Sequence, residues 1–159
     1  MENIKNAVEK YRQLIYDAEK FIWHHPETGY KEFVTSKYME DTFRSLGYDL
    51  VCAEDLTGFY TRIETGRPGP EVMILAELDS IICPTHPDAD PTTGAAHSCG
   101  HHAQLTAMLG ATLALADEEV RKSLNGNVVA FAVPAEVYED TAATAAKGAA
   151  AQAAWNEKL

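Results

Sequence analysis

Two nearly unbroken apolar runs, Val72 to Leu78 and Val128 to Val133, constrain the fold of this chain more than any other feature. Runs of this kind are typical of strands in a sheet that is covered on both faces. Between them, residues from about His101 to Ala116 are small and apolar on nearly every side, which predicts a buried helix. Strand, helix and strand in this order predict an α/β layered domain, with a largely parallel sheet flanked by helices.

The residues before these runs predict two helices and two short strands. Apolar residues recur in steps of three and four from Ile4 to Ile22, which predicts one long helix with a buried stripe. A second helix is expected to begin near Thr35 or Ser36 and to end at Gly47, a residue suited to a left-handed cap. The two short strands are expected at Tyr48 to Cys52 and Phe59 to Ile63.

The composition changes near residue 140. Residues 1–140 are expected to form the domain core. Residues 141–159, of which Thr141 to Ala154 is mostly alanine, predict a C-terminal helix that is interrupted or bent near Gly148.

Charge and cysteine content exclude several classes of partner. The net charge of −11 argues against nucleic acid, whose phosphates require a basic surface. No stretch approaches the roughly 20 apolar residues that span a bilayer, so no membrane partner is expected. Three cysteines without a CxxC motif favour a reducing cytoplasm.

Residues that carry chemistry cluster where the two apolar strands are expected to end. The first strand leads to Glu77 and Asp79, and the second leads to Glu136. The connecting segment carries the other candidates, His97, Cys99, His101 and His102. Because sites in open α/β sheets form beyond the carboxyl ends of strands, these groups can meet at one edge of the sheet.

Cys99-Gly100-His101 has the character of a metal site. Thiolate and imidazole are good ligands for zinc and tolerate other first-row ions, and glycine allows the sharp turn that would direct both at one point. A helix beginning at His101 would place Cys99 at its positive end and lower the pKa of the thiol. The structural alternative is a buried free cysteine beside capping histidines.

The carboxylates have both catalytic and structural interpretations. Glu136 could be a general base that activates water, or an ordinary exposed glutamate. Asp79 could hold a ligand histidine as a hydrogen-bond acceptor, or cap a turn. His97 and His102 could add metal or substrate contacts.

Four blocks of sequence resemble the aminoacylase/carboxypeptidase-type metallohydrolase family, of the zinc metallopeptidase clan. They are Trp23 to Tyr30 with Glu32 and Thr35-Ser36, Leu75 to Asp79, Gly94 to His102 running into Ala107 to Ala111, and Val133 to Glu136. The order of the blocks resembles the catalytic domain of the branch that contains aminobenzoyl-glutamate, hippurate and indole-acetyl-amino-acid hydrolases.

The resemblance implies a metal-dependent amidohydrolase. Family members cleave N-acyl amino acids or short peptides with metal-activated water at a centre of two ions, usually zinc or manganese. By this resemblance Cys99 and His101 would be metal ligands and Glu136 the general base.

Several departures from the family motivate an alternative. Val137 replaces the second of two glutamates, His102 stands where an aspartate is frequent, no histidine follows His102, and the family's lid domain is absent. These departures imply one bound ion or none. The alternative is therefore a truncated or redesigned catalytic core that is not catalytic; a third hypothesis is a cysteine hydrolase with Cys99 as nucleophile.

Overall fold

The structure, a computed structural model, describes residues 2–53, 55–135, 146, 148–150 and 153. The helices in these ranges are α1 (Glu2–Lys10), α2 (Arg12–Trp23), α3 (Phe33–Ser45), α4 (His101–Ala116) and α5 (Glu118–Arg121). The strands are β1 (Val51–Cys52), β2 (Phe59–Glu64), β3 (Glu71–Glu77), β4 (Ile81–Ile82), β5 (Ala95–Ala96) and β6 (Asn127–Val133).

The main sheet is mixed, with the strand order β1-β2-β6-β3. The predicted α/β layered architecture is confirmed. Only β3 and β6 pair in parallel, whereas β1–β2 and β2–β6 are antiparallel, so the described sheet is less parallel than the sequence suggested. The reason is that the crossover through α4 makes β3 and β6 parallel, while the short connection at residues 65–70 reverses the chain between β2 and β3. Strand β6 then inserts between β2 and β3.

Helix α4 packs against the sheet and supplies much of the core. Its fully buried Leu105 and Leu109 belong to one apolar cluster with Ile22 of α2, Phe43 of α3 and Phe59 of β2. The predicted bounds of this helix and its burial are confirmed.

The single long N-terminal helix was a wrong prediction. The chain forms α1 and α2 with a break at Tyr11, whose N–H bonds to the carbonyl of Val8, three residues back. The expected stripe is buried only in α2, where Ala18 and Ile22 are inaccessible, while Val8 remains exposed.

Helix α3 begins two residues earlier than predicted, because Glu27 rather than Thr35 or Ser36 caps it. The Glu27 carboxylate accepts hydrogen bonds from the backbone N–H groups of Val34 (3.0 Å) and Thr35 (2.8 Å). The left-handed cap at Gly47 is confirmed, with φ of +87°.

Strand β3 lies at the edge of the described sheet, not between covered faces as predicted. Val72, Met73 and Leu75 are 54%, 44% and 44% exposed. In the segment that connects β3 to α4, β4 and β5 form a small antiparallel ladder. The strand expected at Tyr48 to Cys52 is reduced to Val51–Cys52.

The predicted domain division at residue 140 lies outside the described residues and stays a prediction. Of the expected C-terminal helix, residues 146, 148–150 and 153 are described, and all are helical. Among the described helices, none combines the length and the apolar character that spanning a membrane demands.

Candidate metal centre

The candidate site lies at the carboxyl edge of β3 and β6. Glu77 of β3 stands in register with Val133 of β6, so both strands end side by side. Asp79 follows β3 and is fully buried, and the N-terminus of α4 lies next to it. The topology therefore produces the meeting of strand ends and helix start that the sequence predicted.

Gly100 shapes the start of α4. It is the N-cap residue, and its φ is +98°, a backbone conformation that residues other than glycine rarely adopt. Its carbonyl accepts the first helical hydrogen bonds, from Ala103 (3.0 Å) and Gln104 (3.1 Å). This turn puts Cys99 immediately before the helix and His101 at its first position.

The expected lowering of the Cys99 pKa is not found. Partial burial of the sulfur raises the pKa of the thiol, although the residue as a whole is exposed. The backbone N–H groups of His101, Cys99 and Gly100 do lower the pKa, as expected at a helix N-terminus, and the nearby Asp79 carboxylate raises it again. Desolvation thus outweighs the hydrogen bonds from the helix N-terminus.

Asp79 orients the His101 ring. The Nδ1 atom lies 2.9 Å from Oδ1 of Asp79 and 3.1 Å from its carbonyl oxygen. Because both neighbours are acceptors, Nδ1 must carry the proton, and the lone pair of the neutral ring is on Nε2. A histidine whose other ring nitrogen donates to a carboxylate is the usual form of a metal ligand.

His102 has a second carboxylate partner on another element. Its Nε2 atom lies 3.5 Å from Oε1 of Glu19 in α2, and its ring meets Trp23 edge to face with centroids 4.8 Å apart. Partial burial lowers the pKa of His102, Glu19 raises it, and His101 lowers it further.

His97 is buried to 3% exposure. Among the described residues, neither of its ring nitrogens has a hydrogen-bond partner of acceptable geometry, and the same holds for Nδ1 of His102. Burial lowers the pKa of His97 to about 4, and the positive charge of His102 and His101 acts in the same direction. The backbone of Ile22 and His25 opposes this shift. The imidazole is therefore neutral at physiological pH.

The sequence patterns gave no role to Glu32, a fully buried carboxylate near the site. Its oxygens accept hydrogen bonds from the backbone N–H of Tyr30 (2.6 Å), the hydroxyl of Thr57 (2.6 Å) and the backbone N–H of Ala135 (3.1 Å). Ala135 immediately precedes Glu136, so Glu32 ties the end of the β6 segment to the helical layer. The one available signal was its place in the sequence block that joins Trp23 to Tyr30 with Glu32 and Thr35-Ser36.

The general base expected from the sequence is not among the residues that the structure describes. Glu136 and Val137 lie outside the described residues. His24 and His25 are exposed and cap the end of α2, each through Nδ1 near a carbonyl oxygen one turn earlier. Within the part of the chain that the structure describes, no three His, Cys, Asp or Glu side chains form a group able to surround a metal ion.

Comparison with known proteins finds similarity to peptidases and amidohydrolases. No protein-family model matches the chain. The thermostable carboxypeptidase 1 of Saccharolobus solfataricus is 28% identical over 140 residues, which cover 86% of this chain. The IAA-amino acid hydrolase ILR1-like 2 of Arabidopsis thaliana is 33% identical over 118 residues, covering 72% of this chain. The crystal structure of Bacillus subtilis YXEP, described as a dinuclear metal binding peptidase from the M20 family, superposes with a TM-score of 0.69 at 22% identity, covering 80% of this chain and 36% of YXEP.

The chain belongs to the M20 amidohydrolase family. The matched residues make up 35% of the carboxypeptidase and 26% of the IAA-amino acid hydrolase, so the chain spans between a quarter and about a third of the length of these M20 relatives.

The donors present here fit part of a metal coordination sphere. Cys99 offers sulfur and His101 offers an imidazole that Asp79 holds in one tautomer, which suits zinc and related divalent ions. Two donors do not complete a sphere of four or more ligands, so the described residues fit such an ion incompletely.

Proposed function

We propose that this chain is part of a metal-dependent amidohydrolase that cleaves the amide bond of N-acyl amino acids or short peptides. The observation that supports the proposal most directly is the Asp79–His101 hydrogen bond at the carboxyl edge of the sheet, two residues from Cys99. Two M20 relatives, a carboxypeptidase and a hydrolase of IAA-amino acids, support the same substrate class.

In this proposal Cys99 and His101 contribute ligands for zinc or manganese, and Asp79 keeps His101 in its ligating tautomer. A divalent ion, when bound, would supply Lewis-acid polarisation of the substrate carbonyl and make a nearby water easier to deprotonate. Glu136 accepts the proton of the attacking water and passes it to the leaving amine. Buried Glu32 helps to fix the backbone next to Glu136 through the N–H of Ala135.

The decisive experiment is hydrolysis of a panel of N-acyl amino acids and dipeptides by the purified chain with zinc, manganese or cobalt added. We expect turnover that is lost in Glu136→Gln and strongly reduced in Cys99→Ser. The matched control is Cys83→Ser, which removes another free thiol outside the proposed ligand pair. Absence of turnover with all three metals would reject the activity for this chain.

A non-catalytic core that holds at most one ion is the second candidate. It is favoured by the lack of a three-donor group among the described residues and by valine at position 137. Under this alternative, metal content would fall in Cys99→Ser although no substrate in the panel is hydrolysed. Turnover that disappears in Glu136→Gln would reject it.

We further propose a cytoplasmic location. Cys83 and Cys99 are not in disulfides in the structure, as expected in a reducing compartment.

A further inference from the structure

Two histidines near the start of α4 have unsatisfied ring nitrogens in a setting that excludes most water. His97 is 3% exposed and both of its nitrogens lack a partner of acceptable geometry among the described residues, as does Nδ1 of His102. Buried polar groups are ordinarily hydrogen-bonded, and each exception requires an explanation. A neutral imidazole carries a proton on one nitrogen and a lone pair on the other, so each of the two neighbouring rings has one lone pair without a partner. Two such lone pairs point to a ligand that accepts them.

The separation of the two rings suits a shared metal ion. Their centroids are 5.4 Å apart and their planes are inclined by 57°, so they are not stacked on one another. Two imidazoles on one tetrahedral ion, with metal–nitrogen bonds of about 2.0–2.1 Å, have ring centres roughly 5 Å apart. The observed spacing matches this arrangement.

Glu19 prepares His102 for such a role. Its carboxylate faces Nε2 of His102 at 3.5 Å, which favours the tautomer with the proton on Nε2 and leaves the lone pair on the buried Nδ1. Asp79 acts on His101 in the same way, but it faces Nδ1, so the lone pair of His101 is on Nε2. The chain thus contains two carboxylate–histidine pairs on consecutive residues of one helix.

The two pairs face different neighbours. Successive residues of an α-helix project about 100° apart, and the contacts follow this: His101 meets Asp79 beyond β3, whereas His102 meets Glu19 and Trp23 of α2. A site built on His97 and His102 is therefore distinct from the Cys99–His101 pair.

We propose that His97 and His102 bind a divalent transition-metal ion, such as Zn²⁺, Co²⁺ or Ni²⁺, at a second site that contains no sulfur ligand. Imidazole suits these ions, and the Glu19 carboxylate offsets part of their charge. The partly accessible ring of His102, whose side chain is 13% exposed, gives the ion a route to the buried His97. Water completes the coordination sphere.

The test uses the full chain with Cys99→Ser, which removes the thiol of the Cys99–His101 pair. This variant is titrated with Co²⁺ and followed by visible absorption and by elemental analysis after gel filtration. We expect about one ion per chain, with d–d bands but without a thiolate-to-cobalt charge-transfer band. Adding His97→Asn or His102→Asn should weaken binding by more than about tenfold, and adding Glu19→Gln by roughly 10- to 100-fold.

The matched control is His24→Asn in the same background, because His24 is exposed at the end of α2 and belongs to neither pair. Its binding should equal that of the parent variant. Circular dichroism verifies folding, and if buried His97 cannot be replaced without unfolding, the partly exposed His102 decides. Failure of the Cys99→Ser chain to bind Co²⁺, or binding that neither histidine substitution weakens, would overturn the proposal. Neither outcome depends on whether the chain hydrolyses amides.

Discussion

Glu32 is a buried carboxyl whose raised pKa makes the stability of the fold depend on pH. Burial raises the pKa of its carboxyl, the hydrogen bonds from Thr57 and the backbone lower it, and the nearby Asp79 raises it. A carboxyl with a folded-state pKa above its unfolded value contributes most to stability when it is protonated. That contribution is fully present below the unfolded pKa and is lost as the pH rises through the folded pKa.

Replacing Glu32 by glutamine should therefore change the pH profile of stability. Glutamine can accept the two backbone hydrogen bonds through oxygen and donate to Thr57 through nitrogen, but it cannot ionise. We expect the variant to gain stability relative to the wild type as the pH rises from about 4 to 7, with most of the change just above the ordinary glutamate pKa. Urea unfolding across this range measures the difference. A difference that stays constant with pH would contradict the raised pKa.

Glu27 supplies the cap of α3 from outside the helix. Glu27→Ala should lower the free energy of unfolding by about 1 kcal/mol, the usual cost of losing an N-terminal cap. The matched control is Glu9→Ala, because the Glu9 carboxylate pairs only with exposed Arg12 and such pairs contribute about 0–1 kcal/mol. Denaturant titration of both variants provides the comparison, and equal losses would show that the Glu27 cap adds little.

The contact between Asp79 and a histidine could be anticipated, because both follow from where β3 and α4 meet. The Glu32 network could not, since its partners Thr57 and Ala135 are 25 and 103 residues away along the chain. The error over the thiol pKa of Cys99 has a similar origin. The sequence indicates a helix start, but burial of a side chain is a property of the folded molecule.

At the scale of elements, the packing of α4 against α2 depends on Gly110. A Cβ atom at this position would lie 3.0 Å from Cδ1 of Ile15, closer than ordinary van der Waals contact. The two helices therefore approach each other over a residue without a side chain, and this close approach keeps Glu19 and Trp23 beside His102.

Gly110→Leu should destabilise the fold by about 1–3 kcal/mol through overpacking. Ile15→Ala in the same chain should recover part of the loss, because it removes the atoms that the new side chain meets. Thermal unfolding of the single and double variants measures both effects. Ala107→Leu serves as the control, since position 107 is an exposed site on the same helix and should change stability by no more than about 0.5 kcal/mol. Purely additive effects of the two substitutions would show that residues 15 and 110 do not interact.

Local patterns predicted some elements well and others poorly. Helix α4 was predictable in both bounds, because Gly100 starts it and a long apolar segment continues it. The break at Tyr11 was not, since neither glycine nor proline marks it. The edge position of β3 could not be predicted either. An apolar run indicates a strand, but the order of strands in a sheet depends on pairing with distant segments.

At the scale of the whole molecule, β3 gives the described sheet an apolar edge. Met73 and Leu75 project from the same face of this strand and are each 44% exposed. Exposed apolar edge strands promote association between chains. We expect Met73→Lys with Leu75→Lys to lower the apparent molecular mass in concentration-dependent light scattering without loss of helical circular dichroism.

Val51→Lys is the control for added charge, because Val51 is exposed on β1 at the opposite edge of the sheet. It should leave association unchanged. A wild-type chain that stays monomeric at every concentration would show that the β3 edge is already protected.

The central position of β6 has a consequence for when the main sheet can form during synthesis of the chain. Glu71 and Asn127, which begin the paired strands β3 and β6, are 56 residues apart, and β2 pairs with the same late strand. During synthesis β2 and β3 are on opposite sides of a strand that the ribosome has not yet delivered. We therefore expect the main sheet to close only after β6 has been synthesised, with β3 remaining an unpaired apolar segment until then.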